Sequence, residues 1–202
     1  VRDDSAKYRG SIQHEHKLLW SWFKDFCMPG SVFIEGDRIT LRTIEKEDIG
    51  FLQRGMNTPA VRRYAGADIP YNRRRYEEEL FDRISSGDFV QLLVCDDEPL
   101  GDVSLAPIDE RRGWANLGYW VHPDHQGQGY ATEAVRLIVS YGFDELRLHR
   151  ISATITAPNT ASKQVVEKLG FVHEGTKRDD AFLNGEYVNR DVYAVLRKEW
   201  TH

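Results

Sequence analysis

The sequence predicts one α+β domain built on a mostly antiparallel sheet. Its 202 residues suffice for one domain with a sizeable core, and 41% hydrophobic residues with 29% charged residues is an ordinary globular composition. Several short segments alternate polar and apolar residues as strands do, while others repeat apolar residues at helical spacing. No internal repeat, low-complexity tract or linker divides the chain, so we expect a single mixed sheet flanked by helices.

The predicted domain opens with one strand and then helices. Residues 38–44, RITLRTI, alternate like a half-buried strand, and helix-forming residues follow at 45–56. Two helical stretches are predicted between Thr58 and Ser86. The second carries apolar residues at helical spacing, namely Tyr76, Leu80, Phe81 and Ile84.

Apolar and polar residues then alternate with a period of two, which predicts three successive antiparallel strands. These are residues 89–95 (FVQLLVC), 100–108 (LGDVSLAPI) and 114–121 (WANLGYWV), separated by polar turns. The first strand ends in Cys95, where a buried structural thiol is expected. Together with Cys27 it makes two cysteines, too few for a disulfide framework.

The last part of the chain mixes helices and strands. A helix is predicted to begin near Tyr130 or Ala131, with one apolar face formed by Ala134, Leu137, Ile138 and Tyr141. The patterns then predict, in order, a strand at 149–157, a helix at 159–169 ended by Gly170, and strands near 171–179 and 186–197 joined by the turn LNG.

Residues 122–134, HPDHQGQGYATEA, join the strand ending at Val121 to the next helix. Gly127 and Gly129 let the backbone turn its N–H groups inward without side chains in the way. The helix start adds unpaired donors and the positive end of the helix dipole. The loop therefore predicts an anion site, and a phosphate held mainly by backbone suits a protein with a net charge of -5.

Two common phosphate-binding patterns do not fit this loop. The dinucleotide fingerprint would need Gly or Ala at Thr132 and a parallel β-α-β unit, whereas the preceding strands are predicted to be antiparallel. The phosphate loop of nucleotide hydrolases would need G-K-[ST], which is absent. A dinucleotide-binding oxidoreductase is therefore disfavoured.

Two segments match a known family instead. Gln126, Gly129 and Ala131 fit Q/R-x-x-G-x-G/A, which resembles the pyrophosphate loop of the GNAT superfamily of acetyl-CoA-dependent N-acetyltransferases. APNTASKQVVEKLGF is similar to the segment in which GNAT members carry N-x-x-S, a helix and L-G-F. The resemblance covers nearly all of residues 28–200, and within the superfamily the chain looks most like the ribosomal-protein (alanine/serine) N-acetyltransferase branch.

The resemblance implies a GNAT-type acyl-CoA N-acyltransferase fold, in which a mixed, mostly antiparallel central sheet splays in the middle, after the strand ending at Val121. It implies acetyl-CoA as the acetyl donor. The pantetheine arm would pair with the backbone of residues 120–122, and the pyrophosphate would lie on residues 126–131. The implied cofactor-binding residues are Trp120, Val121, His122, Gln126, Gly127, Gln128, Gly129, Tyr130, Ala131, Asn159 and Ser162.

The implied reaction is direct attack of a primary amine on the thioester in a ternary complex, without a covalent enzyme intermediate. A backbone N–H near Val121 or His122, at a bulge usual in this fold, would meet the oxyanion. Ser162 shares a helical stripe with apolar residues and is the candidate acid for the leaving thiolate. A buried serine bonded back to a carbonyl is the alternative. Tyr193 could also serve as the acid.

The general base stays open. In the related ribosomal-protein enzymes an acidic residue stands just ahead of an aromatic-Leu-Asn-Gly turn, and in DDAFLNG that position is Ala181. On an extended strand Asp179 would lie on the same face as Ala181, and Asp180 would point the other way. Asp179 is therefore a candidate base, and Glu174 is a further candidate. Solvated surface aspartates are the alternative. This departure also leaves open a non-catalytic acyl-CoA-binding or regulatory protein on the same fold.

Net charge and hydropathy limit the classes of partner that the protein is expected to bind. The net charge of -5 argues against a nucleic-acid footprint, and no apolar run could span a bilayer. Because residues 1–10 lack the apolar core of a signal peptide, we expect a cytoplasmic protein. His122, Asp124 and His125 lack a suitably spaced further ligand, so no metal is expected. The acceptor would be a protein N-terminus or a small-molecule amine, and the resemblance implies a homodimer.

The domain boundary is predicted near Met28. The segment MPGSVFIEGDRITLRTIEKEDI reads like a protein start, so residues 28–202 are assigned to the acetyltransferase domain. Residues 1–27 are an N-terminal extension whose role the sequence leaves open. Within it, HKLLWSWFKDF fits an amphipathic helix packed on the domain, with disorder as the alternative.

Overall fold

A computed structural model describes residues 30–66 and 69–202, and the expectations for residues 1–27 lie outside these ranges. The described residues contain eight strands and five α-helices. In chain order they are β1 Val32–Glu35, β2 Thr40–Arg42, α1 Ile49–Asn57, α2 Pro59–Ala65, α3 Arg73–Ile84, β3 Val90–Cys95, β4 Pro99–Asp109, β5 Trp114–Val121, α4 Tyr130–Asp144, β6 Arg150–Thr156, α5 Thr160–Lys168, β7 Val172–Leu183 and β8 Glu186–Leu196.

The strands form one sheet in the order β1-β2-β3-β4-β5-β6-β8-β7. Every neighbouring pair is antiparallel except β5 and β6, which are parallel. The prediction of a mixed, mostly antiparallel sheet is therefore confirmed. A parallel pair needs a crossover, and α4 provides it.

The parallel pair separates soon after it begins. β5 pairs with β6 only at residues 114–116, opposite residues 150–152. From Leu117 onward β5 stays paired with β4, while the rest of β6 stays paired with β8. The sheet therefore opens into two wings between β5 and β6, as the predicted splay requires, and the opening starts within β5 rather than at its end.

α4 packs on one face of the sheet and fills the larger part of the core. Its predicted apolar face is confirmed, because Ala134, Leu137 and Ile138 are buried in a cluster with apolar residues of β4 and β5 such as Val103 and Leu117. Gly142 lies so close to Leu105 and Ile151 that a Cβ would be within 3.0 Å of each side chain.

No helix in the two described ranges is long and apolar enough to cross a bilayer.

The opposite face of the sheet is covered by α1 and α3. Their buried residues, Leu52, Tyr76 and Leu80 among them, pack with Leu93 and Cys95 of β3. α1 crosses the sheet at Gly55, where a Cβ would stand 2.1 Å from the Trp120 ring. Cys95 is buried with its thiol free, as the sequence predicts.

α5 and the last hairpin begin and end at residues suited to those positions. The Asn159 side chain accepts a hydrogen bond from the Ser162 N–H and caps α5, and Gly170 follows the helix with φ of +81°. Asn184 and Gly185 form the two-residue turn between β7 and β8 with φ of +53° and +91°. Left-handed backbone at both positions is the geometry of a tight hairpin turn, which Asn-Gly favours.

Candidate active site

The separation of β5 from β6 opens a cleft of about 1160 Å³. On one side the cleft reaches the 126–132 loop and α5, and on the other it extends beneath α2 and α3. The end of β6 and the β7–β8 hairpin also border it. One continuous space therefore connects the predicted anion loop with the opposite face of the sheet. This space is large enough for two substrates.

The loop presents unpaired backbone donors to this cleft. Gly127 and Gly129 adopt φ of +76° and +87°, in the left-handed region that glycine accepts without strain. The first helical bond of α4 runs from the Glu133 N–H to the Gly129 carbonyl at 3.1 Å. Within the described part of the chain, no group accepts a hydrogen bond from the amides of residues 127–132. Six amides without an acceptor at a helix start supply the donors that the predicted anion site needs.

Arg38 holds the loop from outside. Its guanidinium donates to the Gln128 carbonyl at 3.1 Å, pairs with Glu133 at 3.2 Å and lies over the Tyr130 ring at 5.0 Å. This bond fixes the Gln128 carbonyl toward Arg38. Arg38 therefore stabilises the loop conformation, a role that the sequence did not indicate, because it precedes the loop by 90 positions.

Most of the predicted cofactor residues line the cleft. They are Trp120, Val121, Gln126, Gly127, Gly129, Tyr130, Ala131, Asn159 and Ser162. His122 and Gln128 are not in the lining. The His122 ring lies beside Phe51, and the Gln128 carbonyl is held by Arg38. The lining also includes His125, Thr132 and Gln164, which the motifs did not select.

The free amides of β5 differ from the expectation. The His122 N–H donates to the Leu100 carbonyl at 2.7 Å, so it is not available to an oxyanion. Since successive amides along a strand point to opposite edges, the Val121 N–H points into the opening toward β6. The register between β4 and β5 is regular at Val121, and its irregularity lies between Leu105 and Ile108. The expected bulge at residues 121–122 is therefore wrong.

Ser162 faces the opening from α5, and its partner is Tyr119 of β5. The two hydroxyl oxygens are 2.7 Å apart, and the Tyr119 hydroxyl is also 3.0 Å from the Ser162 carbonyl. The hydroxyl of Ser162 is thus not bonded back to its own helix. Burial raises the pKa of Tyr119 to about 12, so this phenol keeps its proton near neutral pH.

The other candidate acids and bases lie apart from the cleft. Glu174 forms a bidentate ion pair with Arg150, which lowers the pKa of its carboxyl. The Tyr193 hydroxyl donates to Glu167 at 2.9 Å, and burial, then Glu167, raises its pKa to about 12. Neither residue lines the cleft.

The facing predicted for Asp179 and Asp180 is also wrong. A bulge between Lys177 and Ala181 interrupts the strand alternation, with φ of +51° at Asp179. As a result Asp180, not Asp179, borders the cleft, where it is paired with Arg190 at 2.6 Å. The Asp179 N–H donates to the Asn189 side chain, and its carboxylate is exposed.

Asp102 is the carboxylate that sequence reasoning missed. It lies on β4 opposite Trp120, is 5% exposed, and borders the cleft. The Trp120 indole N–H donates to Asp102 Oδ2 at 2.5 Å, and the Gln91 amide lies within bonding range. Burial raises the pKa of Asp102 to about 7, against these two hydrogen bonds. A lone Asp in the run LGDVSLAPI carries no sequence signal of this environment.

Metal binding has no support in the described ranges, where no group of three or more His, Cys, Asp or Glu side chains could hold an ion. His122 and Asp124 contact each other at 3.5 Å, and the His122 and His125 rings are 6.1 Å apart.

Comparison with known proteins decides the family. A family model described as an acetyltransferase (GNAT) domain matches residues 38–172, more than half of the chain. The chain belongs to the GNAT family. It is therefore an acetyl-CoA-dependent N-acetyltransferase, which transfers an acetyl group to an amine. The non-catalytic alternative and the oxidoreductase are set aside.

Individual GNAT relatives agree with this assignment. The spermidine N(1)-acetyltransferase of Escherichia coli (strain K12) is 31% identical over 164 residues, which are 80% of this chain and 88% of that protein. The structure of spermidine N-acetyltransferase from Vibrio cholerae, in complex with CoA and spermine, superimposes with a TM-score of 0.76 at 27% identity, covering 80% of this chain and 97% of that one. RimL, a ribosomal alpha-N-protein acetyltransferase in complex with coenzyme A, shares the fold with a TM-score of 0.75 at 20% identity, over 82% and 98% of the two chains.

The first prediction concerns the loop. Gly129→Ala should weaken acetyl-CoA binding by about tenfold or more, because a side chain disfavours φ of +87° and its Cβ would stand 3.2 Å from Arg38. Isothermal titration calorimetry measures this affinity. Gly185→Ala is the matched control, since its φ is +91° in open surroundings. Both variants should lose about 1–2 kcal/mol of stability, and only the first should lose affinity. Equal affinities in the two variants would contradict the loop assignment.

The second prediction concerns the Asp102 carboxyl and needs no substrate. Because its pKa is raised in the folded state, folding favours the protonated form. The contribution of Asp102 to the free energy of unfolding is therefore highest below a pH of about 4. It falls as the pH rises and levels off above about 7. Urea unfolding of the wild type and of Asp102→Asn across this range should show the wild type losing on the order of 4 kcal/mol relative to the variant. A difference that is constant with pH would contradict the raised pKa.

Proposed function

We propose that this enzyme transfers the acetyl group by direct attack of a primary amine on acetyl-CoA while both substrates are bound. The observation that carries the proposal is the continuous cleft, which joins the loop of free amides to the opposite sheet face through the opening beside β5. Two substrates entering from opposite sides would meet there. Cys95, the cysteine within the described residues, is buried with its pKa raised to about 12 by burial, so it is unsuited to carry the acetyl group.

The positions of the candidate cofactor residues support the following roles. The pyrophosphate would lie on the amides of residues 127–132, and the pantetheine arm would run along the edge of β5 that faces the opening. The Val121 N–H points to this edge and is our candidate for the oxyanion donor. Asn159 would contribute through its cap, since it fixes the first turn of α5 beside the arm.

Ser162 is our candidate for the acid that protonates the departing thiolate. Its hydroxyl borders the cleft and lies 2.7 Å from the Tyr119 hydroxyl. The single phenol proton, which faces the Ser162 carbonyl at 3.0 Å, would turn to the serine oxygen when the serine donates its own proton to sulfur. Because the pKa of Tyr119 is raised, the phenol would serve as a fixed donor rather than give up its proton. Asp179, Glu174 and Tyr193 remain predictions with weaker geometric support.

The acceptor is proposed to be a protein N-terminus or a small-molecule amine of the polyamine class. The spermidine acetyltransferases among the relatives support the second, and the likeness to ribosomal-protein acetyltransferases noted in the motifs supports the first. We further propose that residues 28–202 form the acetyltransferase domain and that it acts as a homodimer. The apolar side chains exposed on the β7–β8 hairpin, Val172, Phe182 and Tyr187, would suit a contact with a second copy.

The third prediction tests the kinetic mechanism and the acceptor. Thiol release is measured with acetyl-CoA and either spermidine or a tetrapeptide with a free N-terminal serine, with each substrate varied at several fixed levels of the other. We expect double-reciprocal lines that intersect, because both substrates occupy the cleft together. Parallel lines would indicate a covalent acetyl-enzyme and overturn the ternary complex. Failure to acetylate either amine would overturn the proposed acceptor classes.

The fourth prediction tests the acid. Ser162→Ala should lower kcat by about 10²- to 10⁴-fold, since the thiolate would leave without a positioned proton donor. The affinity for acetyl-CoA, measured by calorimetry, should change less than about threefold. Ser86→Ala is the control, because its hydroxyl bonds to Arg83 and Asp88 at the end of α3, outside the cleft. A kcat in Ser162→Ala equal to that of the control removes Ser162 as the acid.

A further inference from the structure

The face of the sheet beneath α2 and α3 carries a row of polar side chains. Gln91 of β3, Asp102 and Ser104 of β4, and Asn116 of β5 all border the cleft. Gln91 pairs with Ser104 in register, and Asp102 pairs with Trp120. A buried sheet face normally carries apolar side chains, so a polar row across three strands marks a place where a polar ligand is bound.

Gly118 leaves space above this row. It stands opposite Ser104 on β5, and a Cβ there would come within 2.8 Å of the Ser104 hydroxyl. The aromatic residues Tyr71, Tyr76 and Phe89 also line this space. The result is a pocket with a polar floor and aromatic walls on the acceptor side of the cleft.

Asp102 is set apart from the other carboxylates of the cleft by its lack of a counter-ion. Among the described residues, three carboxylates border the cleft, namely Glu79, Asp102 and Asp180. Glu79 is paired with Arg75 and Arg83, and Asp180 with Arg190. Asp102 is the most buried of the three, and no cationic side chain among residues 30–66 and 69–202 pairs with it. A buried carboxylate without a cation is costly when ionised, and a cationic ligand would relieve that cost.

The groups around Asp102 do not supply that cation. Trp120 and Gln91 donate neutral hydrogen bonds to it from β5 and β3. From α3, Tyr76 approaches it, and Glu79 and Arg83, which are paired with each other, border the same space. From α2, Arg63 and Tyr64 border the cleft. α1 contributes Met56, which has no charge.

We propose that the acceptor amine enters as a primary ammonium ion that pairs with Asp102, and that this carboxylate takes the proton that frees the amine for attack. The proposal rests on the proposed acetyl transfer and names the base for it. The aromatic walls would hold the alkyl part of the acceptor and add cation–π attraction for the charged end. Asp102 thereby fills the role that Ala181 cannot.

The proton balance of the step is closed. One ammonium N–H bond breaks, its electron pair stays on nitrogen, and the proton goes to an oxygen of Asp102. The amine nitrogen then forms a bond to the thioester carbonyl carbon, and the carbon–sulfur bond breaks. The second nitrogen proton is passed through Ser162 to the thiolate, which leaves as coenzyme A. Asp102 returns its proton to water once the product leaves, which a pKa of about 7 allows near neutral pH.

The fifth prediction is a pH profile. kcat/KM is measured by thiol release from pH 5.5 to 9.5 with spermidine, or with the serine-initiated tetrapeptide if that is the amine the wild type acetylates. We expect the wild-type value to rise with a slope of one and to level off above a midpoint of about 7. Asp102→Asn should lose about 100-fold or more of kcat/KM at high pH and lack the limb at that midpoint. Its affinity for acetyl-CoA should match that of the wild type.

Two further variants separate a base from a structural residue. Trp120→Phe removes the indole N–H that favours ionised Asp102, so the midpoint should move to higher pH. Asp109→Asn changes another carboxyl on the same strand, outside the cleft, and should keep the wild-type profile. A merely structural role for Asp102 would lower the rate without removing the limb or moving its midpoint.

The outcomes separate failure of the Asp102 assignment from failure of the proposed acetyl transfer. If Asp102→Asn keeps the wild-type midpoint and its rate stays within about threefold, the inference is wrong and the acetyl transfer stands. If the wild type acetylates neither amine, the proposed acceptors and the inference fail together. If the wild-type profile has no limb near pH 7, Asp102 is not the base.

Discussion

The parting of β5 from β6 is the constraint on which the rest of the molecule depends. Two parallel strands that share three paired positions and then diverge leave the facing edge of each strand unpaired inside the protein, including amides of β5. Such an edge is costly unless a ligand completes it. The arm of acetyl-CoA is suited to that task, since its amide groups can pair with a strand edge. The same divergence brings α5 opposite β5 and lets one cleft pass from one face of the sheet to the other.

The two faces of the sheet differ in their side chains, so one face forms the main core and the other borders the cleft. On the face that carries α4, side chains of β4 and β5 such as Val103 and Leu117 are apolar and form the main core. This core fixes the start of α4, and the start of α4 fixes the amides of the loop. On the other face, Trp120 is clamped between Gly55, Phe51 and Asp102. The indole thus connects the covering helix to the carboxylate beneath it.

The sequence was most informative where local chemistry determines local structure. Asn159 and Gly170 predicted the ends of α5, and Asn184–Gly185 predicted the hairpin turn, and each is observed. Gly127 and Gly129 predicted a loop in which side chains do not restrict the backbone, and both adopt left-handed φ. The alternation of β3, β4 and β5 predicted their antiparallel order. Together with the family motifs, these signals were enough for the fold and for residues that line the cleft near the loop.

Features that depend on distant residues or on strand irregularities could not be read in the same way. Arg38 meets the loop only after β2 has joined the sheet, and nothing near Arg38 in the chain refers to Gln128. The bulge at Asp179 reverses the facing that simple alternation assigns to its neighbours. The pattern of the predicted strand at 100–108 does not indicate that Asp102 is buried, and only the packing of Trp120 and α3 reveals its burial.

The lone charge of Asp102 has a consequence for the end of the catalytic cycle. An amine carries a positive charge before acetylation, and the amide made from it carries none. No cationic side chain within residues 30–66 and 69–202 pairs with this carboxylate, so a pocket that receives the acceptor as proposed would hold it electrostatically and would lose that hold when the reaction is complete. The loss of charge on acetylation would then favour product release.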